Sequence, residues 1–178
     1  MIRDATTDLV RMQRIDDLQA LICRVYMSTN ECVIASELSG SLDLDGLCVV
    51  PTKLIRCFDR AFEKAEFYKA ALQAWPDIEL YAALLGEFSC SLIQDLSHLA
   101  GRGDIVAVHM ELVEPDVCYV GSIRSVTETE LILNRISSRG QWLSEPFSVP
   151  VDSITKIEIA TRYLTAVGYA ARTLAAAR

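Results

Sequence analysis

Apolar residues recur at steps of three and four along three stretches of the first half of the chain, which is the spacing of one face of an α-helix. The pattern predicts three helices, over residues 7–27, 54–75 and 78–101. Two short β-favouring runs, 32–38 and 47–50, lie on either side of Asp45-Gly46, a dipeptide typical of hairpin turns. Residues 1–103 are therefore expected to form a helical region with one small β-hairpin.

After residue 104 apolar and polar residues alternate, and this period of two indicates half-buried β-strands. Five strand-like runs follow, at residues 105–113, 117–126, 130–136, 146–151 and 154–159. The Ala-rich segment 161–177 has the spacing of a final helix. The predicted fold class is α+β: a helical N-terminal half, residues 1–103, packs on a small five-stranded antiparallel barrel or bent sheet with a C-terminal helix, residues 104–178.

Short segments of the two halves resemble each other and suggest an internal duplication. The similar pairs are 22–27 with 105–110, 40–42 with 121–123, and Pro51 and Ile55 with Pro150 and Ile154. Chance matches among Ile, Val, Ser and Gly would produce the same pairs. A strand at residue 22 would also conflict with the first predicted helix.

The composition is that of a globular domain, with 178 residues, 51% hydrophobic residues and a net charge of −7. An acidic balance of this size does not favour nucleic acid or an anionic membrane as the default partner, because neutralising phosphates takes a basic face. Its excess charge lies in residues 70–123, where Arg102 is the only basic residue. We expect a cationic partner to bind there, although a solvated helix face with chance clustering would give the same excess. The candidate partner-binding residues are Glu79, Glu87, Asp95, Glu111, Glu114 and Asp116.

The residue types that carry catalysis are sparse. The chain has two histidines, His98 and His109, and Cys90 precedes His98 by two helical turns, too far to share a proton. Cysteine, histidine and acidic residues do not occur at the spacing of a metal site. We therefore predict no catalytic residue, metal or cofactor. The first residues lack the pattern of a secretory signal and the six cysteines form no CxxC motif, so a cytoplasmic protein with reduced thiols is expected.

Residues 117–166 resemble the small Sm-like or SH3-like barrels of bacterial proteins, including immunity proteins of contact-dependent growth inhibition. The resemblance rests on Tyr119-Val120-Gly121-Ser122-Ile123, Leu131-Ile132-Leu133, Gly140, Val149-Pro150-Val151-Asp152-Ser153-Ile154-Thr155-Lys156-Ile157 and Arg162-Tyr163-Leu164. It implies a non-catalytic cytoplasmic protein that covers the active site of a cognate toxin. The charge favours a basic nuclease as that toxin. Two alternatives remain: a small-barrel RNA-binding regulator, and an enzyme that uses a pair of carboxylates in one pocket.

Overall fold

The computed structural model describes residues 9–15, 18–74 and 80–176, and the chain divides into two compact units, Met1–Leu92 and Ile93–Arg178. Each unit contributes five described strands, and paired strands are antiparallel. Within the described residues, no helix is long and apolar enough to cross a membrane.

The first unit is a five-stranded sheet followed by two short helices. Its strands are β1 (Leu9–Arg14), β2 (Leu21–Ser28), β3 (Cys32–Glu37), β4 (Leu47–Pro51) and β5 (Ile55–Asp59), with a 3₁₀ turn at Thr52–Leu54 before β5. The helices are α1 (Ala65–Leu72) and α2 (Leu80–Gly86). The strand order is β5-β1-β2-β3-β4, because the last strand returns to pair with the first. Its core includes Val10, Met12, Leu21, Cys23, Val33, Ala35, Cys48 and Val50.

The second unit contains a five-stranded sheet with the corresponding strand order, and one helix precedes its strands in the chain while another follows them. Helix α3 (Leu92–Arg102) starts at the unit boundary and leads into β6 (Ile105–His109), β7 (Cys118–Val126), β8 (Glu130–Arg135), β9 (Phe147–Pro150) and β10 (Lys156–Ile159), with a 3₁₀ turn at Val151–Ser153. The strand order is β10-β6-β7-β8-β9. Helix α4 (Arg162–Ala176) buries Leu164 against Ala107 and Val120, so it covers one face of this sheet.

The two sheets are repeats of one another. Their strand orders correspond, and the register of β2 with β3 recurs 98 residues later in β7 with β8. The register shift between Val25 and Met27 recurs between Ile123 and Ser125, and the isolated bridge of Leu38 to Leu44 recurs as Ile136 to Trp142. A shared register with shared irregularities shows an internal repeat more securely than residue identity does.

The connections repeat as well. Thr29 N donates to Cys32 O at 3.0 Å, and Thr127 N donates to Glu130 O at 2.8 Å. The loops after β3 and β8 share a left-handed residue at positions 98 apart, Leu42 with φ 63° and Gly140 with φ 71°. The first loop has a second one, Gly46, with φ 70°. A leucine in this conformation is unusual. It occupies the position that the second repeat fills with glycine.

Of the three similarities noted in the sequence, one marks equivalent positions. Pro51 and Pro150 precede the two 3₁₀ turns, and Ile55 and Ile154 follow them. The match of 22–27 with 105–110 is wrong, because the first segment lies in β2 and the second in β6, whose counterpart is β1. The match of 40–42 with 121–123 is also wrong, because it pairs a loop with part of β7.

The predicted helical N-terminal half is wrong. Within the first predicted helix, 7–27, the described residues form β1 and β2 instead. This segment also contains apolar residues two positions apart, which is the spacing of one face of a strand. Val10 and Met12 on β1 and Leu21 and Cys23 on β2 are all buried. The strands are stabilised by pairing with β5 and β3, and a local helical pattern carries no information about those partners.

The other two predicted helices are interrupted. The second, 54–75, is β5 followed by α1, because residues 55–59 pair with β1. The third, 78–101, contains α2 and α3, separated by a segment in which Cys90 has a left-handed φ of 59°. Residues 75–79 lie outside the described residues.

The β-strands predicted from alternation are present. The hairpin predicted at 32–38 and 47–50 is β3 and β4, and the five runs after residue 104 contain β6 to β10. The predicted barrel is nevertheless wrong, because no described strand pair joins β9 to β10 and the sheet of the second unit is open.

Candidate functional site

The structure brings together three of the six acidic residues proposed to bind a partner. Glu111, Glu114 and Asp116 lie in the connection between β6 and β7, residues 110–117, which we call the acidic loop. Glu87 is exposed after α2, in the first unit. Asp95 is buried on α3, where its carboxylate is not presented to solvent. Glu79 lies outside the described residues.

Backbone hydrogen bonds fold the acidic loop into successive turns. Val113 N and Glu114 N both donate to Met110 O at 2.8 Å, and Val117 N donates to Glu114 O at 3.3 Å. The Met110 side chain is buried, so the loop is anchored at its first residue. The loop therefore presents its side chains from an ordered backbone.

Two carboxylates of the loop are positioned by Thr155, just before β10, and by Tyr119 on β7. Thr155 Oγ1 donates to Glu111 Oε2 at 2.7 Å, and Glu111 N donates to Thr155 Oγ1 at 3.1 Å. The Tyr119 hydroxyl donates to Glu114 Oε2. This hydrogen bond, together with burial, raises the pKa of Tyr119. Asp116 is exposed.

The same loop exposes aliphatic side chains between its acids. Leu112, Val113 and Val117 are 47%, 63% and 41% exposed. Isolated exposed aliphatic residues are common, but three within six residues of an ordered loop form a small apolar surface. Combined with Glu114 and Asp116, this surface has the chemistry to bury apolar groups of a partner and to attract its cations.

An aromatic cluster with one arginine lies beside the loop, and sequence reasoning missed it. The rings of Tyr119 and Phe147 are stacked with centroids 4.3 Å apart. The Arg135 guanidinium lies 4.5 Å from the centroid of Phe147 and 5.9 Å from that of Tyr119. These residues are scattered along the sequence and come together through the pairing of β7, β8 and β9. Through Tyr119, the cluster supports Glu114.

A charged cluster lies on β6 and β10. Lys156 Nζ and His109 Nε2 lie 2.7 Å and 3.2 Å from the same oxygen, Oε1 of Glu158. Burial by itself would raise the pKa of Glu158. The contact with His109 and the charge and hydrogen bond of Lys156 outweigh burial and lower the pKa to about 2.

The lowered pKa of Glu158 predicts acid lability. Its stabilising contribution is present above the ordinary carboxyl pKa of 4.5 and is lost as the pH falls through about 2. At neutral pH a shift of this size corresponds to about 3 kcal/mol. We expect Glu158→Gln to lower the free energy of unfolding at pH 7 and to flatten its dependence between pH 4.5 and 2, as measured by urea titration at each pH.

A matched variant tests the assignment. Glu128→Gln removes an exposed carboxylate from the turn after β7 and should leave both the stability at pH 7 and the acid slope as in the wild type. If Glu158→Gln and Glu128→Gln showed the same pH dependence, the acid lability would not originate at Glu158.

No described group of three His, Cys, Asp or Glu side chains is placed to hold a metal ion. An open depression of about 420 Å³ in the first unit is lined by residues 60–62 and 64–67, and Glu66 is the one carboxylate among them. Glu66 is ion-paired with Lys69 at 3.1 Å. This depression does not supply the carboxylate pair that the enzyme hypothesis requires.

No family model matches the sequence, and no curated protein or solved structure matches it either.

Proposed function

We propose that this chain is a non-catalytic protein-binding module that recognises a basic partner protein through the acidic loop. The observation that carries the proposal is the combination of exposed Leu112, Val113 and Val117 with Glu114 and Asp116 on one ordered loop. Apolar contact supplies affinity, and the carboxylates supply steering and orientation.

The loop suits binding for two physical reasons. Fully burying an exposed aliphatic side chain contributes roughly 1.5–3 kcal/mol. Leu112, Val113 and Val117 are 41–63% exposed, so each can contribute about half of that when a partner covers it. The hydrogen bonds to Met110 O and the contacts of Glu111 and Glu114 with Thr155 and Tyr119 fix the loop before a partner arrives. A preordered surface loses less conformational entropy on association.

We further propose that the partner is a toxin domain, most concretely a basic nuclease, and that the chain acts as an immunity protein in the cytoplasm by covering the active site. The sequence resemblance of residues 117–166 to such immunity proteins suggests this class at the level of motifs, while the barrel that the resemblance implied is replaced by an open sheet. The six cysteines are thiols, as is usual in a reducing compartment. The net charge of −7 complements a basic enzyme.

The test uses the immobilised full chain to capture its partner from lysate of the source cell, followed by affinity measurement with the purified partner. We expect a basic toxin domain to be retained and then inhibited. The double variant Glu114→Lys with Asp116→Lys should weaken binding at least about tenfold and reduce the salt dependence of the affinity, since it inverts the loop charge.

A control variant reverses the same number of charges elsewhere in the second unit. Glu128 and Glu145 are exposed acids outside the acidic loop, so Glu128→Lys with Glu145→Lys should change the affinity less than the loop variant does. Equal losses from both double variants, or an affinity insensitive to salt, would contradict recognition by the acidic loop. Retention of no basic protein would contradict the proposed partner class.

The second candidate function is RNA-binding regulation, which the cluster of Tyr119, Phe147 and Arg135 favours. Aromatic rings and arginine planes are the groups on which unpaired bases stack. The adjacent Glu114 opposes this function, because its carboxylate repels phosphate. A gel-shift assay distinguishes the candidates: salt-dependent RNA binding that Phe147→Ala abolishes would favour RNA over a protein partner.

A further inference from the structure

The segment that follows α2, residues 88–92, is held by hydrogen bonds to the turn between β2 and β3. Thr29 Oγ1 donates to Cys90 O at 2.7 Å. Ser91 Oγ and Leu92 N both donate to Glu31 Oε2, at 2.9 Å and 3.2 Å. These contacts hold the segment in place even though Cys90 adopts the unfavourable left-handed conformation.

The thiol of Cys90 in this segment contacts the thiol of Cys32 on β3. Cys32 Sγ lies 3.6 Å from Cys90 Sγ, and Cys90 Sγ donates to Cys32 O at 3.0 Å. Their exposures are 0% and 2%, so the thiols face each other in a closed environment. The two residues are 58 positions apart in the chain, and the tertiary structure brings them together.

Comparison with the second repeat shows that this arrangement is particular to the first. The counterpart of Cys32 is Glu130, which is exposed at the start of β8. Both repeats retain the threonine of the preceding turn, Thr29 and Thr127, which bonds the backbone three residues on. In the first repeat Thr29 also binds Cys90 O. The buried cysteine and the covering segment thus occur together.

We propose that Cys32 and Cys90 are a reversible oxidation site, at which a peroxide converts the two thiols into a disulfide that ties residues 88–92 to β3. A disulfide needs an S–S distance of about 2.05 Å. The sulfurs must therefore approach by roughly 1.5 Å, which side-chain rotation and a small movement of the segment supply.

The reaction balances with one peroxide. One thiolate attacks a peroxide oxygen, the O–O bond breaks, and a sulfenic acid and water form once the thiol proton is counted. The second thiolate then attacks the sulfenic sulfur, the S–O bond breaks, and a second water leaves as the S–S bond forms. Two electrons pass from the two sulfurs to the peroxide. A dithiol such as dithiothreitol reverses the bond by exchange.

Because both thiols are buried, we expect their oxidation to be slow. Peroxide reaches the sulfurs when residues 88–92 open, and reclosing returns the second thiol to the first. The disulfide closes a long loop and restricts the unfolded chain, so it should raise the Tm of the oxidised protein. Exposed Cys57 and Cys118 are open to peroxide without such opening, but each lacks a nearby thiol contact among the described contacts.

The experiment treats the full chain with hydrogen peroxide and locates the product by mass spectrometry. The double variant Cys57→Ser with Cys118→Ser serves as the parent, because it removes the exposed thiols and with them intermolecular bonds. We expect the intact mass to fall by the mass of two hydrogen atoms, a peptide cross-linked between Cys32 and Cys90 to appear, and the Tm to rise. Dithiothreitol should return all three observations to their starting values.

Buried Cys23 and Cys48 are the internal control: they lie on β2 and β4, which are separated by β3, so their thiols are not adjacent and should stay reduced. Cys32→Ser or Cys90→Ser in the parent should abolish the loss of mass. If either variant failed to fold, the peptide map of the oxidised parent would still show whether Cys32 and Cys90 form the disulfide. Recovery of Cys32 and Cys90 as thiols after oxidation, or a cross-link that joins other cysteines, would overturn the proposal.

Discussion

Gly121→Ala is expected to lower the free energy of unfolding by more than about 3 kcal/mol. A Cβ at position 121 would lie 2.0 Å from Asn134 O and 2.8 Å from Asn134 C, which are backbone atoms of β8. A flexible side chain could move aside, but this backbone belongs to the strand paired with β7 at Gly121. The alanine therefore forces β7 and β8 apart and weakens their hydrogen bonds.

The measurement is urea unfolding of Gly121→Ala, with Gly101→Ala as the matched control. Gly101 lies in α3, and a Cβ there meets no atom within 4 Å. Alanine is a better helix former than glycine, so Gly101→Ala should be neutral or stabilising by up to about 1 kcal/mol. If the two variants changed stability equally, close approach of β7 and β8 would not be the reason for glycine at 121.

The second large effect is expected at the helix that covers the sheet of the second unit. Leu164→Ala should cost about 3 kcal/mol, because Leu164 is buried to 1% exposure in a cluster with Ala107 and Val120. Gly168 brings the helix close to the sheet, where a Cβ would lie 2.9 Å from Ile105 Cγ1. An isolated helix of this length is marginal in water, so loss of the anchor should also reduce helical circular dichroism.

Leu174→Ala is the matched control on the same helix. Leu174 is 45% exposed near the C-terminal end of α4, and its truncation should cost less than about 1 kcal/mol in urea unfolding. A loss at Leu174 as large as that at Leu164 would mean that the helix is held by its end rather than by the cluster around Leu164.

The residues of the acidic loop show how much of the candidate site can be predicted from the sequence. The excess of acids near Glu111, Glu114 and Asp116 is visible in the sequence, and the structure places these three residues in one loop. The burial of Asp95 is not visible, because it depends on what packs against α3. Nor is the cluster of Tyr119, Phe147 and Arg135, which requires the register of three strands.

The internal repeat was visible at one place only. Pro51 and Pro150 directly precede equivalent 3₁₀ turns, and the fixed φ of proline suits this position in both repeats. Elsewhere the two repeats share register rather than residues, as at Cys23 and its counterpart Gly121. Different residues fill equivalent strand positions because each repeat packs different neighbours, so sequence comparison alone misaligned them.

Residue patterns alone indicate the strands of the second half, the hairpin of β3 and β4, and the position of the excess negative charge. These properties are local: alternation of apolar residues, turn residues and the order of charged residues act over a few positions. Three features emerge only in the folded chain: residues 9–14 and 21–28 are strands, the two sheets repeat, and Cys32 contacts Cys90. Those outcomes depend on partners many residues away, whose pairing and packing energies outweigh local preference.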